Sequence, residues 1–205
     1  VPLLNADQVI TTWRELLPGR TEVADTDNAL VRWRPELPAL FPEDAALSQS
    51  LSELASPLAN PPKSGPLNPW LVEHAPSLSA LVLRKGECFQ FPQLLGPETP
   101  LPDHQPLRQL ALVRVAVMKV AWMAGRRDEA LTLALENLAL SRTLLHAQEG
   151  LLPLIAAAGV WQLSLDGVYW LTRQPELTAA QATRLQSALF QDDRLASEAL
   201  IRGFR

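Results

Sequence analysis

The chain has 205 residues, with Lys+Arg 18 against Asp+Glu 22, an apolar fraction of 47% and one cysteine, Cys88. This balance excludes a basic nucleic-acid footprint over the whole chain, a disordered composition, a disulfide framework and any multi-cysteine metal knuckle. Leucine dominates, with 40 residues against 12 Val and 3 Ile; Leu and Ala lose little on entering a helix whereas β-branched residues favour strands, so the expected class is all-α.

In chain order, Asn5 with Gln8 forms a capping box ahead of Val9, Ile10, Trp13, Leu16 and Leu17 at helical spacing, and Pro18-Gly19 stops that helix. Residues 26–34 read as a short helix with Ala29, Leu30 and Trp33 inward. Pro42 opens the next, which carries Leu47, Leu51 and Leu54 at i, i+4 and i+7. Residues 57–66 read as a loop. Asn68-Pro69 opens a helix to His74, Pro76 interrupts it, and Ser77 caps a second segment through Leu83; residues 86–106, with five prolines, read as irregular. His104 or Pro106 then opens a long helix ending before Gly125. Residues 127–148 and 151–173 form two more, Thr178 with Gln181 caps another through Phe190, and a last one begins near Asp192 or Asp193.

Two halves differ sharply. Of 18 prolines, 16 fall at or before Pro106; residues 1–106 hold 7 basic and 13 acidic side chains, residues 107–205 hold 11 and 9. The expected architecture is a single all-helical domain over 1–205: antiparallel helical hairpins or a bundle over 107–205, with a Pro-rich layer of short helices, 1–106, packed on it. Each of those short helices is too short to be stable alone.

The stretch from Ala121 to Leu131 (AWMAGRRDEAL) resembles the turn of a tetratricopeptide hairpin, but no second copy stands 34 residues away, so a repeat array is not expected. A wider resemblance rests on several short pieces: Asp27-Asn28-Ala29, Cys88-Phe89, and Leu107 to Ala111. It also rests on Ala124-Gly125-Arg126 with Asp128 to Leu131, and on Leu177 to Gln181 with Leu185. Together they resemble a loosely defined group of bacterial helical proteins of unknown function, often placed behind an N-terminal membrane anchor or export signal. The resemblance implies a helical fold and a periplasmic or membrane-anchored setting, and no catalytic residues. Val1 at the start agrees with an expected attachment segment upstream.

No metal-binding spacing joins His74, His104 and His146, and no G-x-S-x-G, Walker A or G-x-G-x-x-G pattern occurs, so neither metal nor cofactor is expected. Cys88 beside Phe89 and Phe91 reads as a buried thiol in an aromatic cluster, and the six Trp as core anchors rather than a peptide or glycan groove. More informative are charges on apolar faces. Arg114 falls inside the arc of Leu110, Val113, Val117, Val120 and Ala121, with Arg108 and Lys119 on another side, and Arg142 lies in line with Leu131, Leu135 and Leu138. A buried arginine needs a carboxylate or backbone carbonyls. Asp166 is the sole charge between Leu151 and Leu171, a run long enough to resemble a membrane span but read as a buried central helix. In it, Ala156 to Gly159 would admit a close neighbour. Gln162, Asp166, Tyr169 and Arg173 share one face. At least one of Arg114 and Arg142 is expected to be buried and paired with a carboxylate, Asp166 first.

The leading expectation is a non-enzymatic helical interaction domain of a bacterial envelope or membrane-anchored protein, with a protein partner and no nucleic acid. The alternative is a small polar ligand bound by Arg114, Arg142, Asp166 and Tyr169. A hydrolase using Glu43, Asp44 or Asp166 ranks last, because no spacing defines a carboxylate pair.

Overall fold

The structure, a computed structural model, describes residues 24–42, 44–61, 67–84, 87–89, 105–147 and 151–189. The expected helices near Val9 to Leu17 and from Asp192 onward, along with Trp13, Glu43, Phe91 and His104, lie outside these residues. Among the described residues there are helices and no β-strand; one isolated bridge joins Asn28 and Cys88. The helices are α1 (Ala29–Trp33), α2 (Ala45–Ala55), α3 (Leu67–Ala80), α4 (Gln105–Met123), α5 (Arg127–Ala147), α6 (Leu151–Thr172) and α7 (residues 179–189). A 3-10 turn, Leu37–Leu40, sits between α1 and α2. The fold is all-α, as the composition implies.

Short polar side chains start these helices. Asn28 Oδ1 accepts from the Leu30 amide and Asp44 Oδ1 from the Ala46 amide, each satisfying a first-turn N–H. The Thr178 and Gln181 side chains exchange bonds with each other's amides, a complete capping box for α7. Backbone helix runs unbroken through Pro76, where the sequence suggests a break. A proline there removes the bond to the carbonyl of Val72, and Val72 is exposed, so water can take that carbonyl's place.

The centre of the fold is α4, not α6. From Leu107 to Trp122, α4 is buried on every side apart from Arg108 and, in part, Val120. It packs against α5 and α6 on one flank and against α2, α3 and the Leu37–Leu40 turn on the other. The short helices therefore lie directly on the long ones. Gly125 closes α4 with φ 81°: its amide donates to the Trp122 carbonyl while the Arg126 amide donates to Ala121, the paired bonds of a Schellman turn. This reverses the chain and lays α5 antiparallel along α4. The Asn137 amide side chain accordingly donates to the Ala111 carbonyl across the pair, each residue standing 13 positions from Ala124. Ser164 Oγ in turn donates to the Asn137 carbonyl and ties α6 to α5.

Among the described residues, α6 over Leu154–Thr172 is the one helix long and apolar enough to cross a membrane, and 44% of that stretch is buried within the fold. Close approach to it occurs at Gly167, where an added Cβ would lie 3.2 Å from Val115 Cγ2, and not at Gly159, which has open space. The Ala156 to Gly159 run instead has Ala158 and Gly159 exposed.

Candidate functional site

Three polar side chains recur every five residues on α4: Gln109, Arg114 and Lys119. At about 100° per residue, each step turns the helix by about 140°, so the three point to three different sides. All are buried. Each reaches the C-terminal end of a different preceding element. Gln109 Nε2 donates to the Leu40 carbonyl at 2.9 Å, and Arg114 Nη2 to the Leu81 carbonyl at 2.8 Å. Lys119 Nζ donates to Leu54 and Ser56 at 2.7 Å and to Ala59 at 2.9 Å. The last carbonyls of a helix have no partner within it and carry the negative end of its dipole, so a buried cation placed there is compensated without a carboxylate. Arg142 on α5 likewise donates to a backbone carbonyl, that of Ala188 on α7, at 3.0 Å.

This arrangement corrects the expected pairing of Arg114. Arg114 is buried, 1% exposed, but its carboxylate neighbour is Glu136 at 3.9 Å rather than Asp166. Glu136 lies on α5, the immediate antiparallel neighbour of α4, and reaches the guanidinium from there. Burial lowers the Arg114 guanidinium to about 10, with Glu136 opposing, so it stays charged at neutral pH. Burial raises Glu136, and Arg114 opposes that shift. Arg142 is half-buried. Two buried atoms of this region, Arg114 Nε and Asn137 Oδ1, have no hydrogen-bond partner among the described residues.

Asp166 is half-buried, accepts from Gln162 at 2.8 Å, and acts electrostatically on Lys119. Lys119 is the residue that a helical projection misses. It is wholly buried, whereas the projection groups it with Arg108, which is exposed. Its ammonium sits 5.2 Å from the centre of the Trp170 ring, and Trp170 Nε1 donates to Asn60 Oδ1 in the turn that Lys119 holds. Burial lowers Lys119 to about 8, while Asp166 raises it. The sequence signal is the five-residue period of Gln109, Arg114 and Lys119, with only apolar residues between them.

The four-residue polar face of α6 is present but faces outward. Tyr169 is 52% exposed, with the Arg173 guanidinium 5.6 Å from its ring centre. Toward the other end of the same helix, Ile155 is 59% exposed beside exposed Ala158 and Gly159. Of the other chemical candidates, Asp44 is committed to capping α2, and His74 stacks on Trp70 with Nδ1 2.8 Å from the Trp70 carbonyl. Cys88 is half-buried rather than buried; its neighbour Phe89 packs edge-on against Trp33 at 5.3 Å. Trp33, Trp122 and Trp170 are buried as core anchors. Among the described residues, no three His, Cys, Asp or Glu side chains cluster as a metal would require. Comparison of the chain with protein-family models, curated proteins and solved structures gives no match.

Proposed function

We propose that this chain is a non-enzymatic helical interaction domain that binds a protein partner through the outward face of α6, in a bacterial envelope or membrane-anchored setting. The observation that carries the reading is the exposed apolar patch in the first half of α6. Its outward side is apolar at Ile155, Ala158 and Gly159 and polar at Gln162 and Asp166, and under half of the Leu154–Thr172 stretch is buried in the fold. Ile155, Ala158, Gly159 and Tyr169 remain on the surface. An apolar helix face left open on a folded domain is a recurrent feature of partner surfaces. The charged side chains add support, because Arg114, Lys119 and Arg142 are engaged with backbone carbonyls.

The polar-ligand reading has less behind it. Arg114 turns to Leu81 and Glu136, and Arg142 to Ala188, while Asp166 takes Gln162 and Tyr169 stands in solvent. The test is affinity purification of the full chain from its source cells, in parallel with Ile155→Glu. A stoichiometric protein recovered with the parent chain and lost with Ile155→Glu is the expected result. Recovery of the chain alone, or retention of the partner by Ile155→Glu, overturns the proposal.

A further inference from the structure

We draw no further inference here: the strongest candidate, the cluster of buried Lys119 and Trp170 with half-buried Asp166 between α4, α6 and the turn after α2, belongs to the site already described, the ammonium being held by the carbonyls of Leu54, Ser56 and Ala59.

Discussion

Arg114 and Lys119 are the two charged side chains whose surroundings decide how the interior is held. Removing the Arg114 head leaves the Leu81 carbonyl without its donor and Glu136 without its cation, in a site that is 1% exposed. Arg114→Ala is therefore expected to cost about 3 kcal/mol of stability in urea denaturation. A double-mutant cycle with Glu136→Gln should show coupling of about 1 kcal/mol, whereas Arg114 and Asp166→Asn should be additive. The opposite pattern would restore Asp166 as the partner. For Lys119, Met matches the length of the stem but supplies no donor, so Lys119→Met strands three carbonyls. Its pH dependence has a defined sign. Burial lowers Lys119 from 10.5 to about 8 in the folded chain, so between those values the unfolded chain holds a proton that the native state has released. Stability relative to Lys119→Met should thus climb as pH rises from about 8 to about 10.5. Unfolding free energies of both proteins at the two ends of the window check this, and a gap that narrows would contradict it. The sequence marks Arg114 as buried because its flanking residues are all apolar. Lys119 is not legible the same way: a projection assumes one wet side, and α4 has none there. Its acceptors, 60 to 65 residues earlier in the chain, are carbonyls that carry no side-chain signature.

At the scale of elements, the turn after α4 and the contact between α4 and α6 depend on different properties of glycine. Gly125 has φ 81° and nothing within 4 Å of an added Cβ, so the only penalty for a side chain there is backbone strain. Gly125→Ala should cost about 1 kcal/mol, and Gly125→Asn less, since Asn tolerates the left-handed region. Gly167 has ordinary helical backbone but faces Val115 Cγ2 at 3.2 Å from the added Cβ. Val115 is β-branched and buried, so it has little room to yield. Gly167→Ala is expected to cost about 1–3 kcal/mol by overpacking, and Val115→Ala in the same chain should recover part of the loss. Thermal melts of the three alanine variants and of Val115→Ala paired with each glycine variant distinguish the two mechanisms; equal rescue of Gly125→Ala by Val115→Ala would refute the distinction. Most element boundaries were readable because caps are local: Asn28, Asp44, Thr178 with Gln181, and Gly125 each act within a few residues of their own position. The misreadings were non-local. Helix α3 runs through Pro76 with exposed Val72 four residues earlier, and close packing on α6 falls at Gly167, where Val115 opposes it.

For the molecule as a whole, the three donors of α4 tie the described parts of residues 1–106 to the long helices. The helices α1, α2 and α3 have 5, 11 and 14 residues, at or below the about 12–15 residues at which an isolated helix becomes even marginal in water. Their buried residues, Trp33, Leu51, Leu71 and Leu78 among them, belong to the same core as Leu110, Val113 and Met118 of α4. The Leu40, Leu81 and Leu54 carbonyls, at the ends of the Leu37–Leu40 turn, α3 and α2, take donors from Gln109, Arg114 and Lys119, all of them beyond residue 106. Among the described residues of the short-helix half, Arg32 and Glu87 form a two-bond tie of 2.7 and 2.6 Å, with Arg32 also holding the Val82 carbonyl. The Arg32 bond holds Glu87 below the usual carboxylate range against the opposing effect of burial. That tie therefore stabilises above the ordinary Glu value of 4.5 and weakens as pH falls below it, and one partly exposed ion pair is worth about 1 kcal/mol or less. It cannot replace a missing core and three missing helix caps. Residues 1–106 expressed alone should therefore give a weakly helical spectrum that fades gradually on heating or in urea, while the full chain unfolds in one sigmoidal transition. Circular dichroism of the two proteins under the same conditions decides the matter. A sigmoidal transition from residues 1–106 alone would show that the short helices form a core of their own, and that α4 merely docks against it.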